Sequence, residues 1–305
     1  MWLQLQIFGF RALWSPYFMM FIIGLALIYY LITGPYRHKF GGGEKPSIKQ
    51  QSFFYSALVL LYIVKGSPVD LLTHIMLTAH MIQMAIYYFV FPIFIIQGIP
   101  TWVWKKIVRR PVVKPVLQFL TKPLISIVLF CGLFSFYHIP FIFDFSKTSQ
   151  ISHTAISLVI LIAAFIMWLP ILEPLKEFEK MPPLVKMAYL LANGLLITPA
   201  CALIIFAEHP LYDAYTASGA WIQAMSLCVP GDVLSGITST ISGPEMFSPL
   251  TILQDQQAGG IIMKIMQEIV LAILLGTVFF PWFNKGSYKV DPIPAGSTSE
   301  STTKA

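Results

Sequence analysis

Long apolar stretches recur near 16–33, 51–66, 71–98, 123–142, 151–172, 185–207 and 258–283, with short polar connections between them. Most reach the roughly 20 residues that a helix needs to cross hydrocarbon. The pattern therefore predicts an all-α polytopic membrane protein, a bundle of seven transmembrane helices. The second span is the weakest, because the run from Phe53 to Val64 is short and must borrow its flanks or meet a thinned bilayer. Between His209 and Gln257, GAWIQAMSLCVPG is apolar enough to invite an eighth span; one there would put the basic C-terminal tail outside, so it is expected to be a surface or re-entrant helix. After Pro281-Trp282 the chain turns to NKGSYKVDPIPAGSTSESTTKA, too polar to pack. The expected organisation is a seven-span domain over 1–283 and a disordered cytoplasmic tail over 284–305. The start, MWLQLQIFGFRALWSPYF, lacks a basic region and a small-residue cleavage site, so it is expected to be retained.

Composition agrees with the pattern: 56% of residues are hydrophobic, 11% are charged and the mean hydropathy is +0.73. No soluble domain of this size has that balance. Of the 20 Lys and Arg, all but Arg11, Lys65, Lys147 and Lys264 fall in the connections after spans one, three, five and seven. The positive-inside rule puts those connections in the cytoplasm, the N-terminus outside and the C-terminus inside, in a multi-pass protein of the cell membrane. The net charge of +6 is then met by anionic lipid, with TWVWKKIVRRPVVKP as an interfacial segment, and implies no nucleic acid.

This topology gathers His74, His80, His138, His153 and His209 at or near the outer face, leaving His38 apart. In THIMLTAHMIQM, Met76, His80 and Met84 recur every four residues and so would share one helical face, with Gln83 beside it. An imidazole with two thioethers is a soft, uncharged ligand set suited to Cu(I). Methionines at this spacing also fill gaps between helices, and a buried histidine also bonds to a neighbouring backbone, so both readings stand. His74 has Asp70 one turn earlier, placed either to orient its ring or to cap the span. His138 in FYHIP, His153 in ISHTAIS and His209 in EHP can converge with His74 at the boundary. In the last span Gln257, Lys264 and Glu268 are strongly polar for a membrane helix; Lys264 and Glu268, four apart, can pair, either fixing the packing or forming a polar wall. Cys131, Cys201 and Cys228 make no CxxC and no even-numbered framework.

At His80-Met81-Ile82-Gln83 and at Asp255-Gln256-Gln257-Ala258-Gly259-Gly260 the chain resembles the CtaG family of Gram-positive bacteria. The resemblance extends to the seven-span plan, His153 with Trp168-Leu169-Pro170, and Ser248-Pro249-Leu250, and covers about 15 to 283. It implies a non-enzymatic assembly factor for caa-type cytochrome c oxidase that helps form the copper B centre of subunit I. It further implies His80, Gln83 and His153, with His74, as copper-site candidates, and Asp255, Gln256 and Gln257 as a functional element. Relatives carry another histidine where this chain has Met84, a change that still suits Cu(I). Oxidase subunit I, the lipid bilayer, an extracytoplasmic copper donor and a second copy of the chain are the partners such a protein would take. Two other classes compete. A seven-span zinc hydrolase needs a carboxylate base beside several imidazoles, and the last span has no histidine. A copper or small-solute transporter needs polar groups across the bilayer, and YYFVFPIFII has no ligands.

Overall fold

The computed structural model describes residues 2–175, 181–237 and 243–287; it is helical throughout, with no strand among those residues. We label the main helices α1 (Pro16–Thr33), α2 (Ile48–Gly66), α3 (Pro68–Ile75), α4 (Leu77–Gly98), α5 (Thr101–Val108), α6 (Val113–Leu120), α7 (Pro123–Tyr137), α8 (Pro140–Ser146), α9 (Gln150–Leu172), α10 (Pro183–Ile205), α11 (Ser218–Met225) and α12 (Ile252–Ser287). Their starts are written in the sequence. Proline occupies the first turn of α1, α3, α7, α8 and α10, where its missing N–H costs nothing. Ser47 and Gln50 close a reciprocal capping box at α2.

Five helical stretches are long and apolar enough to cross a membrane, Leu3–Thr33, α4, α9, α10 and Ile252–Asn284, or up to seven if the bent pairs α2–α3 and α6–α7 each make one span. α4 sits at the centre, two-thirds buried, packed against α2, α3, α9 and α12, whereas the first span is only 11% buried and lies on α2. The segment around GAWIQAMSLCVPG is the eight-residue α11, whose Trp221 and Met225 dip into a second apolar cluster with Leu71 and Ile75. It is too short to span. Lys176 and Lys180, and the tail from 288 onward, fall outside the described residues; the stretch from Asn284 to Ser287 continues α12 instead of beginning the tail.

Three expected boundaries move. The second span is not confined to 51–66: α2 and α3 run from Ile48 to Ile75 with a 46° bend. The third does not run unbroken from 71, because Met76 is extended (φ −131°, ψ 137°) and α4 begins at Leu77. The fourth ends at Tyr137 instead of 142, and α6 meets α7 at 80°.

The break at Met76 has no local signal, since Ile75-Met76-Leu77 holds neither Gly nor Pro. Its cause lies 178 residues away in sequence: Oδ2 of the buried Asp255 accepts the N–H of Leu77 at 2.7 Å and that of Thr78 at 3.3 Å, while the Thr78 hydroxyl donates to the Asp255 carbonyl at 2.8 Å. A carboxylate on the orphan amides of a new helix is a cap in its strongest, charge-assisted form. The neighbouring residues of α12 fasten the other side. Gln256 Oε1 accepts the N–H of Leu211 at 2.8 Å, and Gln257 Nε2 donates to the Ala207 carbonyl at 3.0 Å, just past α10. Gly259 and Gly260 permit the approach: an added Cβ would stand 3.2 Å from the Leu77 carbonyl oxygen and 2.8 Å from Ile205 Cγ1.

A second irregularity, the π-helical turn Ile86–Val90 in α4, is explained by Pro92. In a regular helix its N–H would reach the Tyr88 carbonyl; lacking it, that carbonyl accepts instead from Trp168 Nε1 of α9 at 3.1 Å. Replacing Asp255 with Ala leaves two amides of α4 without a partner and is expected to lower the stability of the detergent-purified protein by about 1–3 kcal/mol, with Asp255→Asn less affected; thermal unfolding of the three proteins checks it.

Candidate functional site

Four histidines converge at the end of the bundle where α3, α7 and α9 meet. All are buried: His74 on α3, His80 on α4, His138 just past α7 and His153 in the first turn of α9. The rings of His74 and His153 lie 5.5 Å apart, inclined by 60°, and Nδ1 of each has no hydrogen-bond partner. His80 Nε2 is 3.4 Å from the Tyr137 hydroxyl, its ring 5.2 Å from that of Phe143, and its Nδ1 is unpartnered. His138 donates from Nδ1 to the Phe134 carbonyl at 2.7 Å. That bond fixes the tautomer, and its Nε2, with no partner, is left as a lone-pair donor.

The other residues singled out in the sequence sit differently. His209 is exposed past the end of α10, away from the buried rings. Met76 and Met84 do not form one stripe with His80, because the chain is extended at Met76; Met76 packs with the outer apolar cluster and Met84 with the main core. Gln83 is fully engaged: its amide donates to the Val64 carbonyl and to Asp70 Oδ1, and its Oε1 accepts from Lys65. Asp70 is thereby held by Gln83 at 2.8 Å and paired with Lys65 at 3.5 Å instead of orienting His74. Lys264 pairs with Glu268 at 2.7 Å and donates to the Gly194 carbonyl and the Thr198 hydroxyl, joining α12 to α10 beside a cleft of about 360 Å³. The pair thus ties α12 to α10 and lines that cleft. Cys131 and Cys201 are packed in the core and Cys228 in the outer cluster.

Sequence reasoning counted Lys147 only as an outer-loop charge. It is in fact 2% exposed, its Nζ has no hydrogen-bond partner, and it lies 5.5 Å from the centre of the Phe143 ring. It is within electrostatic reach of His74, His80 and His153. The only sequence hint was its place three residues before the helix that carries His153. The connection holding it is tied down by Asp144, which accepts the N–H groups of Asp213 and Ala214 at 3.1 and 3.0 Å. Tyr212 and Tyr215 donate to the carbonyls of His138 and Thr73 at 2.9 and 2.6 Å, closing the polar loop over this end of the bundle.

Among the described residues no three His, Cys, Asp or Glu side chains stand close enough to hold a metal as they are. His74 and His153 are the two imidazoles whose rings face each other, with 5.5 Å between ring centres. The nearest carboxylate in the cleft beside them, Asp70, is held by Lys65 and Gln83, and two neutral imidazoles are a soft donor pair.

Burial drives the Lys147 ammonium down to about 7; Lys65 adds to the fall, while Asp70, Cys228 and Asp144 oppose it. The unfolded chain keeps this proton to about pH 10, the folded chain gives it up near neutrality, so the unfolded state holds more protons in between and stability rises with pH over that window. Wild type is expected to gain on the order of 1 kcal/mol per pH unit above 7 relative to Lys147→Met, read from unfolding midpoints of both proteins at matched pH.

Comparison with known proteins adds the remaining constraint. No curated protein and no solved structure matches the chain. A family model described as the cytochrome c oxidase caa3 assembly factor (Caa3_CtaG) matches residues 27–285, which takes in every buried histidine and the whole Asp255–Gly260 segment. The chain therefore belongs to the family of cytochrome c oxidase caa3 assembly factors.

Proposed function

We propose that this assembly factor holds Cu(I) between His74 and His153 and presents it to the copper B centre of oxidase subunit I. The observation that carries the reading is the pair of buried imidazoles from two different helices, 5.5 Å apart, each with an unpartnered ring nitrogen. Buried polar atoms are normally satisfied, so unpaired ones gathered in one place point to a ligand. His80 and His138 supply further nitrogens within the same buried region, which lets an ion move between neutral donors without crossing a charged intermediate. With the basic connections in the cytoplasm, these histidines lie toward the extracytoplasmic face, where a copper donor would meet them.

Lys147 bears on the cargo's charge. In its protonated form, below about pH 7, Lys147 repels a cation brought beside it in low dielectric, and a divalent ion more than a monovalent one, so the site favours a monovalent and weakly held ion. That is a property of a transfer site, not of a resident cofactor.

The test is metal content by mass spectrometry after reduction and Cu(I) loading of the detergent-purified protein, wild type beside a His74→Ala/His153→Ala variant. Wild type is expected to retain copper and the variant to lose most of it, roughly tenfold or more. In cells, His80→Ala is expected to abolish copper B formation while haem insertion into the oxidase continues, seen as normal haem with lost oxidase activity. Equal copper in wild type and double variant, or an active copper-replete oxidase with His80→Ala, would remove the assignment.

A further inference from the structure

Among the described residues, a cleft leads from the flank of the bundle to two of the buried histidines. It measures about 530 Å³ and runs between α1 and α9, with Lys65, Asp70, His74 and His153 at its floor. Its rim is apolar: Phe21 of α1 is 55% exposed and Leu158 of α9 is 52% exposed, both inside helices long enough to span the membrane. The cleft begins at Gln150 and Leu227 on the end of the bundle and continues to Leu158, eight residues and about 12 Å further along α9, so its mouth also descends the flank of the bundle.

Among the described residues, aromatic and apolar side chains cover much of the rest of the site. Over the end of the bundle, the tyrosine bonds to Thr73 and His138 and the apolar cluster of Leu71, Ile75, Trp221 and Met225 cover the site. Behind it, Phe134 lies 4.4 Å from the His138 ring, and Phe143 lies 5.2 Å from the His80 ring. α1, the wall that leaves the mouth open, is the least buried of the spans and is fastened to its neighbours at its edges, by Tyr62 to the Trp14 carbonyl and by Tyr29 to the Gly98 carbonyl.

We propose that the histidine site is served laterally from within the bilayer, through the cleft between α1 and α9, and that the cleft receives a metal-binding side chain carried on a transmembrane helix of the oxidase partner. This rests on the copper reading for what is passed, but not for where the partner docks. Hydrocarbon alone does not suit the cleft: a lipid chain would leave the partly exposed Lys65–Asp70 pair facing an apolar surface, with the two imidazoles directly behind it. An apolar helix face bearing one imidazole or thioether satisfies both halves, covering the Phe21 and Leu158 rim while its polar group reaches the floor. The volume is that of a pocket for one small ligand, enough for a side chain and far too little for a helix to enter.

A photo-crosslinking residue is placed at Phe21 or Leu158, and as controls at the lipid-facing Leu195 and Ile273, in the full-length protein in cells that make the oxidase. Crosslinks to an oxidase membrane subunit from the cleft positions, several-fold above the controls, are expected. Leu158→Trp, which fills the mouth, is expected to lose oxidase assembly while the purified variant still retains copper. Equal crosslinking from the control positions, capture of lipid alone at the cleft, or normal assembly with Leu158→Trp would overturn the proposal. Specific crosslinks from a protein that retains no copper would leave lateral docking standing and remove the copper reading.

Discussion

A helix that ends in apolar surroundings leaves amide groups that nothing nearby can satisfy, and this molecule is organised around one such end. At Met76 the chain stops being helical and restarts one residue later, and the new amides are met by Asp255 from the far end of the sequence. Amides left unsatisfied there would cost the fold about 1–3 kcal/mol, so the break and the carboxylate come together. The consequence for the site is geometric. On one continuous helix, residues six apart face in divergent directions, and His74 and His80 would not look into the same space. With α3 and α4 separated, each turns its imidazole toward the region around Lys147, where α9 adds His153.

The same rule explains the two other motifs that looked like chemistry. Trp168 spends its indole N–H on the carbonyl that Pro92 leaves open in α4, which fixes α9 against α4 in register and so fixes where His153 falls relative to α3. Gln256 and Gln257 occupy backbone groups at and beyond the end of α10. None of these residues reaches the histidines. They act through backbone, as positioning residues, whereas the imidazoles keep ring nitrogens without partners.

What the sequence made legible was what depends on period and composition. The apolar runs gave every helix that can cross the membrane, and connectivity gave the shared end of His74, His138 and His153, because both follow from local pattern. The third span was misjudged because its interruption is imposed by Asp255, and nothing in Ile75-Met76-Leu77 announces it. The stripe of Met76, His80 and Met84 failed for the same reason, since a spacing of four means one face only where the helix is unbroken. Asp70 looked like a partner for His74 by sequence distance, yet a closer claim comes from Lys65 and Gln83 on neighbouring helices. Lys147 was invisible because a lysine in a loop is ordinarily solvated; only the tyrosines and Asp144 that pull the loop inward bury it.

The polar residues of α12 divide between two faces, and that division separates support from exposure. Asp255, Gln256 and Gly259 turn inward to α4 and α10, where they set the break and hence the histidines. Lys264 and Glu268, about two and a half and three and a half turns beyond Asp255, lie in a shallow groove along α10, paired to each other and partly open to the membrane. An ion pair there costs less than a buried one and contributes little by itself, since its charges are partly hydrated or reach toward headgroups. What it does fix is rotation: Lys264 bonds to the Gly194 carbonyl and the Thr198 hydroxyl, so α12 cannot turn about its axis without breaking them. Any such rotation would carry Asp255 off Leu77, and the polar grip at the middle of α12 thereby protects the cap at its start.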